Sequence, residues 1–127
     1  MLDVEVMVAG ICPKSTIVVY FAEWTEQGWI TAMDAVIQDK THDPGVISVS
    51  WDAPEDTDIW TDQAMTQMNE TFKEAALLGI TICIAAGNDG PSDADMHGHA
   101  HADFPASSPL CTGGQRNHNT DQGRDRA

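Results

Sequence analysis

An α/β fold built on a parallel sheet is predicted by three observations. Three short apolar runs rich in β-branched residues, at 17–22, 46–51 and 80–86, alternate with two longer segments in which apolar residues recur at helical spacing. The resulting order is strand, helix, strand, helix, strand, and strands joined through helical crossovers pair in parallel with helices on the sheet faces. Turn-forming residues punctuate the runs: Pro13-Lys14-Ser15 before the first, Asp43-Pro44-Gly45 before the second and Gly79 before the third.

Taken in order, residues 17–22 (IVVYFA) read as a buried strand. Thr25 is placed to cap a helix that carries Trp29, Ile30, Met33, Ala35, Val36 and Ile37, with Asp43-Pro44-Gly45 as its stop. Residues 46–51 form the second strand. A longer helix starts near Asp58 or Thr61, carries Met65, Met68, Phe72, Ala75, Ala76 and Leu78, and ends at Gly79, a natural C-terminal cap. The third strand, 80–86, stops at Ala-Ala-Gly and delivers Asn88 and Asp89 in a turn flanked by Gly87 and Gly90. Open α/β sheets carry their chemistry at such strand ends, and glycine lets a polar side chain be held close to a reacting group.

Composition narrows the functions open to the chain. At 127 residues it is one domain at most. Twenty acidic against six basic residues give a net charge of −14 and a sequence pI near 4.3. Such a surface repels nucleic acid and anionic membranes, so neither is an expected partner, and it suits work in acid, where protonation relieves self-repulsion. Cys12, Cys83 and Cys111 are odd in number and lack zinc or CxxC spacing, which implies neither a disulfide framework nor a thiol nucleophile. No apolar stretch is long enough to span a membrane, and the N-terminus lacks the basic and apolar regions of a signal peptide. Residues after Ser92 read as a loop. Within it His97, His99 and His101 alternate, a spacing that in an extended segment puts three imidazoles on one side and could bind zinc, but a flexible Gly/Ala loop offers no second shell to fix the ligands, so no metal site is assigned. Residues 110–127 have no periodicity and little apolar content and are expected to be disordered.

The phrases Leu2-Asp-Val-Glu-Val6, Ile17-Val-Val-Tyr-Phe-Ala22, Val46-Ile-Ser-Val-Ser-Trp51, Pro54-Glu-Asp56, Ala85-Ala-Gly87 and Asp103-Phe-Pro-Ala-Ser-Ser-Pro109 occur in this order. In that order they resemble sedolisin-type serine-carboxyl peptidases, particularly the kumamolisins. The resemblance implies a subtilisin-like parallel sheet flanked by helices. It makes residues 1–109 a partial peptidase catalytic domain, roughly its first third, and residues 110–127 a non-family tail. The abrupt break at Pro109 reads as a frameshift or truncation.

What the resemblance implies about chemistry is specific. In that family a Ser nucleophile is activated by a Glu that a nearby Asp orients, and a second Asp stabilises the oxyanion. A carboxylate base remains partly deprotonated in acid, where a histidine would be charged. Asp3 matches the orienting Asp, whose Glu would fall just before Met1. Asn88 stands where the family has its oxyanion Asp. An Asn amide donates to an oxyanion without needing a proton from acid, as in subtilisins, and Asp89 is the stand-in if the loop shifts register. Ser48, Ser50 and Trp51 match the segment that lines the cleft and pairs its backbone with substrate. Asp52 and Ala53 follow where the family has Gly-Gly. Asp103 matches an acidic position near the specificity pockets and would favour basic substrate side chains.

Each of these residues also has a plain structural reading. Asp3 suits a helix start, Asn88 a turn, Trp51 a core position and Asp103 a turn cap. No Gly-Thr-Ser nucleophile segment occurs in the sequence. By family the activity is a secreted, acid-active endopeptidase acting on peptide or protein substrates, and the chain by itself is expected to be inactive. No cofactor is expected here, since the family's calcium site belongs to a C-terminal region that these residues do not match. The alternatives are a non-catalytic α/β interaction module and one half of a split peptidase completed by a C-terminal half. A phosphate-binding domain is disfavoured because Gly87-Asn-Asp-Gly90 lacks the P-loop Lys and the GxGxxG spacing.

Overall fold

A computed structural model describes residues 4–5, 10–51, 53–55, 59–87 and 102–114. Helix α1 (Glu26–Ile37) begins where Thr25, in extended backbone, accepts a hydrogen bond from the Gly28 amide at 2.9 Å. Trp29, Ile30, Met33, Val36 and Ile37 form its buried face, while Ala35 is exposed. The helix stops before the expected Asp43-Pro44-Gly45, because Asp39 takes over the exposed amides. Its carboxylate accepts from the backbone of Thr41 and His42 at 2.9 and 3.1 Å, and the chain then turns through Asp43 at φ 45°.

Strand β1 (Val46–Val49) is followed by the two-residue strand β2 (Ala53–Pro54) and by helix α2 (Asp62–Leu77). Thr61 caps α2 by accepting from the Ala64 amide at 3.2 Å. At the other end the Gly79 and Ile80 amides return to the carbonyls of Ala76 and Ala75 at 3.1 and 2.9 Å, with Gly79 at φ 77°, the left-handed geometry that favours glycine there. That turn leaves Ala76 and Leu78 exposed, against the expectation that they face the core. Met68, Phe72 and Ala75 are fully buried along the inner face. The two helices pack together, and the buried Thr71 hydroxyl donates across to Asp34 at 3.0 Å.

Strand β3 (Thr81–Ala85) is the centre of a parallel sheet of order β1-β3-β5, with β5 at Thr112–Gly114. Ile47 pairs with Ile82 and Val49 with Ile84, so these side chains share the face that belongs to the core. A second, antiparallel ladder joins β2 to β4 (Asp103–Phe104), with Ala53 opposite Phe104 and Pro54 opposite Asp103.

Three further findings differ from the sequence reading. Residues 17–22 form no strand: Val18, Val19 and Phe21 are exposed, and Phe21 is 90% so. β-Branched composition favours extended backbone, but a strand exists only where a neighbour supplies the ladder. The β2–β4 ladder was not foreseen, being too short to leave a periodic signal. Order also continues past Pro109, since Leu110 and Cys111 pack against the core and Thr112–Gly114 pairs with β3. Residues 115–127 lie outside the described residues.

Candidate functional site

Of the residues singled out in the sequence, Asp3, Asn88 and Asp89 lie outside the described residues, as do His97, His99 and His101. Their flanks are described. Val4 and Glu5, which follow Asp3, are helical. Strand β3 ends at Ala85, and the chain leaves it through Ala86 and then Gly87 at φ 78°. The residue entering Asn88 thus adopts a backbone conformation that side-chain-bearing residues rarely hold.

Ser48 lies on β1 across from Cys83, and both Ser48 and Ser50 are exposed. Among the described residues β1 pairs only with β3, so its other edge presents backbone donors and acceptors to which an extended peptide can add as a strand. Trp51 follows directly. It is half-buried, with the Trp24 ring 4.4 Å away at 32° and the Trp29 ring 3.6 Å away nearly edge-on. The aromatic chain continues from Trp29 to Trp60 at 6.2 Å and from Trp60 to Phe104 at 4.9 Å. Asp103 precedes Phe104 and stands across the β2–β4 ladder from Pro54, while Phe104 stands across from Ala53.

The Phe104–Pro109 turn holds this wall in place. The Phe104–Pro105 peptide is cis, and Phe104 and Pro105 are buried. The Ser107 hydroxyl donates to Glu55, and the buried Ser108 hydroxyl donates to Asn69 on α2 at 2.6 Å. Both serines are spent on fastening the turn to β2 and α2. A cavity of about 370 Å³ lies over this turn, lined in part by Glu55, Asp62 and Asn69.

Two groupings were missed in the sequence. A cavity of about 200 Å³ is lined by all four tryptophans of the chain together with Glu26. The signal available was the tryptophan count, but their positions are too far apart for a periodic pattern. Elsewhere, Tyr20 donates to the Asp39 carboxylate, and the His42 ring approaches it at 2.5 Å. The Tyr20 hydrogen bond and then the His42 contact hold the Asp39 carboxyl well below the usual carboxylate range, and the same hydrogen bond raises Tyr20.

Cys12, Cys83 and Cys111 are free thiols, and burial pushes Cys111 up, keeping it protonated and unreactive. Among the described residues no group of three or more His, Cys, Asp and Glu could hold a metal ion, and no helix is long and apolar enough to cross a membrane.

No protein-family profile matches the chain. It is 43% identical over 117 residues to kumamolisin from a Bacillus species, covering 91% of this chain and 21% of that protein. To tripeptidyl-peptidase sed5 of Aspergillus fumigatus it is 30% identical over 118 residues, covering 89% and 20%. Since residues 1–109 make up a smaller share of the chain than 91%, the kumamolisin match continues past Pro109, where the sequence reading ended the resemblance. In structure the chain is similar to Pseudomonas sedolisin, a serine-carboxyl proteinase solved with two molecules of pseudo-iodotyrostatin. The TM-score is 0.59 and the identity 25%, over 69% of this chain and 24% of that one. On sequence and on fold alike the chain belongs to the sedolisin family, of whose curated relatives it spans about a fifth of the length.

Proposed function

We propose that these residues form part of the catalytic domain of an acid-active serine-carboxyl endopeptidase, contributing one wall of the substrate cleft and two of its polar catalytic positions. The open edge of β1 receives the substrate backbone, Trp51 walls the cleft and Asp103 attracts basic substrate side chains. Asp3 orients the general base, and Asn88, delivered by β3 through Gly87, donates its amide to the oxyanion. The observation that carries this reading is the run from β3 into Gly87 at φ 78° directly before Asn88, beside β1, which is followed two residues on by Trp51. By family the parent enzyme is secreted and acts on peptides or proteins, and no cofactor is assigned to these residues. With no Gly-Thr-Ser segment, the 127-residue chain by itself hydrolyses no peptide.

The test is a chimera in which this chain replaces the matching stretch of the Bacillus relative, assayed on a chromogenic peptide in acid beside the chain alone. The chimera is expected to turn over, and Asn88→Ala within it to lower kcat by about 10²–10³, the usual loss for one oxyanion donor. A chimera that turns over with Asn88→Ala unchanged would remove the oxyanion role. Hydrolysis by the isolated chain would overturn its assignment as catalytically incomplete.

A further inference from the structure

We infer that the cavity between the start of α1 and the start of α2 is a binding site for an organic cation, an ammonium or guanidinium group. Trp24, Trp29, Trp51 and Trp60 line it, and Glu26 is the acidic residue among its lining, which among the described residues includes no Lys or Arg. Indole rings carry a negative quadrupole on their faces, and a space lined by four of them attracts a cation more strongly than a neutral group of the same shape. Glu26 adds a formal charge. Its carboxylate accepts from the Thr61 amide and hydroxyl, whereas two carboxylate oxygens together offer about four acceptor positions, so capacity remains for an incoming donor. The chain's net charge of −14 raises the local concentration of cations around this opening.

The size selects the ligand further. A space of about 200 Å³ is below the roughly 300–1,000 Å³ typical of sites for whole small molecules and suits a single side chain or a choline-sized head group. Trp24 is 65% exposed although its ring lies tilted 4.4 Å from that of Trp51, so this lining indole is accessible from solvent. The site shares only Trp51 with the proposed substrate cleft. Its test reads binding without hydrolysis, so either reading can fail while the other stands.

The experiment is titration of the full chain, followed by tryptophan fluorescence, with choline, with N-acetyl-arginine amide, and with 3,3-dimethylbutanol, the neutral isostere of choline. Saturable quenching by a cation, with the isostere about tenfold weaker, is expected. Tighter binding of choline identifies a free quaternary ammonium as the preferred source of the charge, and tighter binding of the arginine derivative identifies a peptide side chain. Trp24→Ala, which removes an exposed ring, should weaken the cation about tenfold at unchanged circular dichroism. Glu26→Gln, which keeps an oxygen to accept from Thr61, should weaken the cation and leave the isostere unmoved. Equal binding of choline and its isostere, or no saturable quenching by either cation, would overturn the proposal.

Discussion

Phe72 and Leu77 lie on one helix and should respond oppositely to truncation. Phe72 is 0% exposed, packed with Met68 and Ala75 against α1 and the sheet, whereas Leu77 is 88% exposed near the C-terminal end of the same helix. Phe72→Ala removes most of a buried ring and leaves a cavity that rigid neighbours refill only partly, a loss of about 3–5 kcal/mol. Leu77→Ala removes a side chain that is already in water and should change stability by no more than about 0.5 kcal/mol. A domain of this size has about 5–15 kcal/mol in all, so the first change lowers the melting temperature by at least about 12 °C or unfolds the chain outright. Phe72→Leu, which keeps most of the volume, should cost about 1 kcal/mol and keeps the comparison measurable in that event. Urea unfolding followed by far-ultraviolet circular dichroism and tryptophan fluorescence reads all three. If Phe72→Ala shifted the midpoint no more than Leu77→Ala, the inner face of α2 would be wrongly assigned, and with it the α1–α2–sheet core.

Three other perturbations test single contacts. Thr61→Ala deletes the cap that accepts from the Ala64 amide and the hydroxyl that meets Glu26, and should cost about 1 kcal/mol in the same urea assay. Gly79→Ala should cost about 1–2 kcal/mol from backbone strain alone: the glycine sits at φ 77° and an added Cβ has open space around it, so a larger loss would point to a clash that is not there. Asp39, held low by Tyr20 and then His42, stabilises the fold above its unfolded-state pKa near 4 and loses that contribution as pH falls through the lower folded value. The stability difference between wild type and Asp39→Asn should therefore shrink from about pH 5 downward, and a difference that grew instead would refute the assignment.

The two helices were legible because their signals are local. Thr25 and Gly79 mark ends through chemistry within one turn, and the spacing of Trp29, Met33, Val36 and of Met68, Phe72, Ala75 fixes the buried faces. Strand β3 was legible for a related reason, as a short β-branched run closed by Gly79 and Gly87. The failures are non-local. Residues 17–22 carry the strand signal but no ladder, and Thr112–Gly114 carries almost no signal and yet pairs with β3, because ladders are made by backbone groups that glycine also possesses. At the site, Trp51 and Asp103 could be singled out only through family resemblance. The cavity that unites Trp51 with Trp24, Trp29 and Trp60 depends on how α1, β1 and the loop before α2 meet, which no short window records.

The two faces of the sheet differ in what they bury. Alternation along paired parallel strands sends Ile47, Ile82 and Ile84 to the helix-covered side, where all are buried, and sends Val46, Ser48 and Thr81 to the other, where all are exposed. Val46 alone is 60% exposed. All-parallel sheets occur almost only with both faces covered, since their strands are apolar on both sides. Here α1 and α2 pack within the single core of the described residues, on the Ile47–Ile82 side. The opposite side mixes the apolar Val46 with the polar Ser48 and Thr81, and the core of the described residues does not reach it. The exposed Val18, Val19 and Phe21 add apolar surface that the described core does not absorb. The chain spans about a fifth of the length of its curated relatives.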